Sequence, residues 1–202
     1  MRGYSISDHE PSASVTFTYD DPSGAYVGAS LIGSIYEGSP VLLGIQGNAG
    51  YALRVTPTLS LDAGVSKTKY LYAFDRKGDY DYTELYVGAA LPFISTRLSY
   101  SPDYYDNDLE TLYAELETGF SPADKLFLSA HGGVLAYLGE PPPYLPDQTF
   151  DWRVGATREI GPWAVHLDVS GRVLGRARFS GPGGVGSGED REALVLSLTR
   201  TF

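Results

Sequence analysis

Residues Arg191 to Phe202 read R-E-A-L-V-L-S-L-T-R-T-F. Leu194, Leu196, Leu198 and Phe202 fall on one row, and Ala193, Val195, Ser197, Thr199 and Thr201 on the other. Alternation at period two is a β-strand with one apolar and one mostly polar face, because successive side chains point to opposite sides of a sheet. A soluble edge strand can end on Phe as well. The reading therefore turns on whether the rest of the chain repeats the pattern.

It does. The spacing predicts a short first strand at Arg2–Ile6, then strands at Ala13–Tyr19, Ala25–Gly33, Val41–Arg54, Thr58–Tyr72, Asp81–Leu91, Ile94–Tyr100, Leu109–Phe120, Lys125–Tyr137, Phe150–Ile160 and Trp163–Leu174. With the terminal one this makes about twelve. In the strand at Ala13, Val15, Phe17 and Tyr19 oppose Ser14, Thr16 and Thr18. In the strand at Val41, one row carries Leu43, Ile45, Gly47, Ala49 and Tyr51. In the strand at Thr58, Leu59, Leu61, Ala63 and Val65 oppose Ser60, Asp62, Gly64 and Ser66.

The connections alternate in length. Asp21–Gly24, Thr56–Pro57, Pro92–Phe93, Ser121–Asp124 and Gly161–Pro162 are short; Ser7–Pro11, Tyr36–Pro40, Ala73–Tyr80, Ser101–Asp108, Gly139–Thr149 and Arg176–Asp190 are longer and polar. Short turns at one end and long loops at the other is the asymmetry of an outer-membrane barrel. Facing points the same way. Tyr51, Tyr100, Phe120, Phe150, Trp152, Trp163 and Phe202 sit near the ends of the apolar rows, where interfacial aromatics belong. Arg158 and Arg200 share that parity close to the short turns, where a long side chain reaches water at little cost. Asp62, Glu84, Arg97, Glu115, Glu117, Asp151, Arg153, Asp168 and Arg172 occupy the opposite rows in mid-strand.

Composition narrows the classes. The chain has 202 residues, a net charge of −10 and no Cys. The acidic balance argues against nucleic-acid binding, which needs a basic footprint, and disulfide or thiol chemistry is absent. Gly at 24 and Tyr at 16 suit a barrel wall with an aromatic girdle. No stretch approaches the roughly 18 apolar residues of a transmembrane helix, but a barrel strand needs only about 10 alternating ones. The sequence starts at Met1-Arg2-Gly3-Tyr4 with no export signal, so a processed or mis-started chain is the expectation.

The fold class expected from these features is all-β: a single antiparallel up-and-down transmembrane β-barrel over residues 1–202. In outer-membrane barrels a terminal aromatic such as Phe202 is read by the assembly machinery. The chain also resembles the TorF-type porin family of bacterial outer-membrane proteins. The resemblance rests on Arg2-Gly3-Tyr4-Ser5, Gly24-Ala25-Tyr26-Val27-Gly28, Glu84-Leu85-Tyr86-Val87-Gly88, Ser129-Ala130-His131-Gly132-Gly133 and Asp151-Trp152-Arg153-Val154-Gly155. It departs from the family ahead of Arg2 and at Lys69-Tyr70-Leu71-Tyr72, which lacks a Tyr-Pro pair. The resemblance implies an exported barrel in the outer-membrane lipid and a pore, and names no solute.

The candidate selectivity residues are Asp62, Glu84, Arg97, Glu115, Glu117, His131, Asp151, Arg153, His166, Asp168 and Arg172. A Gly161-Pro162 turn sets Asp151 opposite Arg172 and Arg153 opposite Ser170. A Ser121–Asp124 turn pairing Phe120 with Leu126 would set Glu115 opposite His131 and Glu117 opposite Ser129. Such charges either form a selectivity constriction for small solutes or ions or fill a narrow lumen by pairing among themselves. Six acids against three arginines give a weak cation preference, and His131 and His166 would add pH sensitivity.

Other chemistries fare worse. Ser129 with His131, and His166 with Asp168 and Ser170, share faces as a hydrolase would require, but on the lumen parity, away from lipid substrate. Gly181-Pro182-Gly183-Gly184 is no phosphate-binding loop, since no Gly-Lys-Ser/Thr follows. Asp103, Asp106, Asp108 and Glu110 lack the ligand order of a calcium loop. No cofactor or metal is implied. The rival to a passive channel is a non-conducting barrel with a packed lumen and adhesive acidic loops.

Overall fold

Alternating side chains give each strand one apolar and one polar face, while its backbone N–H and C=O groups point sideways and are satisfied only by a neighbouring strand. The computed structural model describes residues 10–36, 38–71, 80–104, 109–141, 145–175 and 191–200. They form one antiparallel sheet of 11 strands, each paired with the next in sequence. These are β1 (Ser12–Asp20), β2 (Ala25–Tyr36), β3 (Ser39–Arg54), β4 (Ser60–Tyr70), β5 (Tyr80–Leu91), β6 (Ile94–Ser101), β7 (Thr111–Ala123), β8 (Leu126–Tyr137), β9 (Gln148–Ile160), β10 (Trp163–Leu174) and β11 (Arg191–Arg200). The expected strand at Arg2–Ile6, and Phe202, lie outside the described residues. β1 and β11 are the two edges of the sheet, so the barrel is not closed among the described residues.

The turns at the short end are chemically specified. Asp21 accepts a hydrogen bond from the Ser23 amide at 2.9 Å, and Gly24 takes a φ of 101° that a side chain resists. The Ser23 hydroxyl and amide hold the Asp21 carboxyl below its usual range. Thr56 Oγ1 accepts from the Leu59 amide at 3.0 Å, closing the next turn. Gly161, at φ 61°, lets Ile160 pair with Trp163.

Three expectations are corrected. Residues 36–40 are not a long loop: Tyr36 pairs with Ser39, so β2 and β3 run on to a tight turn at Gly38, whose φ is 77°. Leu43 does not share the outward row of Ile45. A register shift between Ile32 and Gly33 leaves Leu43 as the extra residue of a β-bulge, and it turns inward to 1% exposure. The β7–β8 register also differs. Phe120 pairs with Leu128, not Leu126, because β7 continues past Pro122, which has no N–H for the ladder, and pairing resumes at Ala123 with Leu126. The turn is then Asp124–Lys125, with Lys125 at a left-handed φ of 57°.

The two faces have opposite character to those of a soluble sheet. On the exposed side lie Leu194, Leu196 and Leu198 at 71%, 73% and 62%, with Phe17, Leu85, Val87, Phe93, Val154 and Ile160. The buried side holds Ser66, Thr68, Glu84, Ser99, Ser101, Thr111, Asp151 and Arg172. Leaving the large apolar side chains of the exposed side in water would forgo up to about 1.5–3 kcal/mol each. A contiguous apolar surface of this extent is what hydrocarbon would cover. The outward arginines are accommodated: Arg158 donates to the Asp124 carbonyl at 3.0 Å, and Arg200 lies 5.3 Å over the Trp163 ring.

Tyrosine is not confined to the girdle. Tyr70, Tyr82 and Tyr104 are buried on the inner face with Tyr113 and Leu135. The Tyr82 and Tyr104 rings stand 5.0 Å apart. This packing lies toward the long-connection end of β4–β8.

Candidate functional site

The backbone ladder lines up the charged residues. Asp62 pairs with Gly88, Gly88 with Arg97, Arg97 with Glu115, Glu115 with Gly133, Gly133 with Asp151, and Asp151 with Arg172. One continuous row thus crosses β4 to β10. The next row holds Glu117, His131, Arg153 and Ser170 in the same fashion. Both rows climb. Asp62 stands near the short-turn end of β4, whereas Arg172 stands near the opposite end of β10.

Glycine on the same face gives the large polar groups room to lie flat. A Cβ at Gly50 would meet the Tyr26 ring, one at Gly64 the Tyr86 ring, one at Gly88 the Asp62 carboxylate, and one at Gly133 the Tyr113 hydroxyl. These seats gather two clusters. In the first, Tyr26 donates to Asp62 at 3.1 Å and shares a 2.7 Å hydrogen bond with Tyr86. Arg97 pairs with Asp62 at 3.3 Å and lies 4.5 Å over the Tyr86 ring, a cation–π contact.

In the second cluster, Tyr113 donates to both Asp151 oxygens, at 3.2 and 3.1 Å. His131 Nε2 is 3.0 Å from the same carboxylate, and its Nδ1 is 3.4 Å from Glu117. Arg153 pairs with Glu117 at 3.1 Å. Asp151 and Arg172 are buried cross-strand neighbours. Burial separates the couples: Glu117 and Arg153 keep side-chain exposures of 52% and 47%, against 5% for Asp151.

All eleven candidate residues lie on this inner face, but not in one ring. Asp62 and Arg97 belong to the first cluster, and Glu117, His131, Asp151 and Arg153 to the second. Glu115 stands between them in the ladder and Arg172 beside Asp151. Asp151 faces Arg172 and Arg153 faces Ser170, as expected; Glu117 faces His131, and Glu115 faces Gly133, two residues from the expected register. Glu84 is buried beside Ser66, two rows nearer the long connections than Asp62. Asp168 is seated over Gly155 toward the short turns. His166 shares a 2.9 Å bond with Thr157.

His131 bonds to Tyr113 and Asp151, and His166 to Thr157, rather than to Ser129 or Ser170. Among the described residues no cluster of His, Asp and Glu has the form of a metal site. Sequence reasoning missed the tyrosines Tyr26, Tyr86 and Tyr113. Their signal was parity, since Tyr86 shares a face with Glu84, and Tyr113 with Glu115.

A family described as "Bacterial protein of unknown function (Gcw_chp)" matches residues 1–202. No curated protein matches the sequence. Among solved structures, the chain is similar to that titled "NanC porin structure in rhombohedral crystal form", with a TM-score of 0.65 and 8% identity over 95% of this chain and 93% of that one. It is also similar to the "KdgM porin", with a TM-score of 0.51 and 13% identity over 80% and 84%. At these identities the likeness is one of fold.

Proposed function

The chain belongs to the Gcw_chp family, bacterial proteins of unknown function, and from that premise we propose that it is a porin-like channel of the bacterial outer membrane. It passes small hydrophilic solutes or ions by diffusion, with no chemical step. The observation that carries this is the inverted polarity of the sheet: large apolar side chains on the exposed face, and carboxylates, guanidinium groups and hydroxyls on the inner one. The likeness in fold to two porins supports it, as does the resemblance to TorF-type porins. Asp62, Glu84, Glu115, Glu117, Asp151 and Asp168 outnumber Arg97, Arg153 and Arg172, so the path prefers cations weakly. Insertion into outer-membrane lipid through assembly machinery that reads Phe202 belongs to the same proposal.

The buried packing of Tyr70, Tyr82 and Tyr104 favours a second reading, a barrel whose lumen is filled and does not conduct. Refolding the chain in detergent and adding it to a planar bilayer separates the two. A channel gives stepwise conductance and, under a salt gradient, a reversal potential of cation sign. A filled barrel is silent while its gel mobility remains heat-modifiable.

A further inference from the structure

The charged rows do more than set a net sign: they arrange acid–base couples along a climbing line. Asp62–Arg97 comes first, at 3.3 Å. Glu117–Arg153 follows at 3.1 Å, and beyond it Asp151 and Arg172 face each other in the ladder. The third couple is buried. The first two are open to the space that the inner face lines, with Arg97 and Arg153 at 45% and 47% side-chain exposure.

An exposed couple is weakly held and exchanges partners readily, since such pairs contribute about 0–1 kcal/mol. What exchanges in matters. A simple cation at Glu117 strands Arg153, and a simple anion at Arg153 strands Glu117. A solute bearing an ammonium and a carboxylate a few bonds apart satisfies both members at once. A neutral polyol can hydrogen-bond to both members but neutralises the charge of neither. The partners that stay behind keep each site in shape: Tyr26 holds Asp62, the Tyr86 ring holds Arg97, and His131 backs Glu117.

We infer that the Glu117–Arg153 and Asp62–Arg97 couples form a stepped track for small zwitterionic solutes of the amino-acid class. This rests on the channel reading above. Proteoliposome swelling tests it with two solutes of similar size, the amino acid threonine and the neutral polyol erythritol. The intact chain is expected to pass threonine about threefold faster than erythritol, the factor one weak couple supplies. Glu117→Gln combined with Arg153→Gln should reduce that advantage, and adding Asp62→Asn with Arg97→Gln should bring the two rates close together. The exchanged pair, Glu117→Arg with Arg153→Glu, should keep the advantage, because a dipolar solute simply turns round. Equal rates in the intact chain, or an advantage that survives removal of both couples, overturn the track while leaving a channel. No swelling with either solute, in protein with heat-modifiable mobility, overturns the channel reading and the track with it.

Discussion

The Tyr113 hydroxyl lies directly over Gly133, so that a Cβ there would collide with it and come within 2.7 Å of the Asp151 carboxylate. The neighbouring Gly132 points the other way, and a Cβ there would meet nothing within 4 Å. Adjacent residues with opposite facings and opposite tolerances make an internal control. Gly133→Ala should displace Tyr113 from Asp151 and cost about 1–3 kcal/mol. Gly132→Ala should stay within about 0.5 kcal/mol. Urea unfolding of the refolded protein in detergent, followed by tryptophan fluorescence, compares them.

Burial sorts the charged residues into those packed within the wall and those open to the space that the inner face lines. Asp151 is 6% exposed and is held by Tyr113 and His131. Asp151→Ala leaves its partners uncompensated and should cost about 3–5 kcal/mol. Glu117→Gln breaks a half-exposed pair and should cost under about 1 kcal/mol. It should nonetheless lower the cation preference seen in reversal potentials, whereas a packing-only role predicts no change in that readout.

Leu196 is 73% exposed in the middle of β11, and the adjacent Ser197 faces inward beside His166. Leu196→Arg places a guanidinium in hydrocarbon, at about 2–4 kcal/mol near the bilayer midplane. Ser197→Arg escapes that cost. The folded fraction in lipid vesicles should fall for the first substitution and much less for the second.

The first turn has its own pH dependence. The carboxyl of Asp21 titrates below its usual value of 3.8, because Ser23 hydrogen-bonds the ionised form. A depressed folded value gives stability that is present above the unfolded value and lost as pH falls through the folded one. The Asp21 midpoint in carbon-detected NMR should therefore lie under 3.8. Asp21→Asn should remove this acid-side contribution.

Most of the architecture was legible because most strands alternate and carry most of their charges on one parity. The Gly161–Pro162 turn placed Asp151 against Arg172 without further information, since a two-residue turn leaves a single register. Leu43 was illegible for a physical reason: one bulged residue reverses parity locally, and nothing in V-L-L-G-I marks which residue is extra. The β7–β8 register was lost the same way, since the turn could not be placed among Ser121, Pro122, Ala123 and Asp124. Tyrosine misled because its ring suits a membrane interface and its hydroxyl suits a polar wall; only parity with Glu84 and Glu115 distinguishes the two. The continuity of the charged rows across seven strands required every register at once.

The central claim is that the polar face of this sheet meets water while the apolar face meets lipid. The chain contains no Cys, so a single introduced one is a unique probe. Glu117→Cys and Leu116→Cys place that probe on consecutive residues of β7 with opposite facings. Each variant would be refolded into vesicles and treated with a charged, membrane-impermeant thiol reagent. Labelling of Glu117→Cys with protection of Leu116→Cys is the predicted result. Protection at 117 with labelling at 116 would contradict it, and equal protection at both would mean a lumen closed to water.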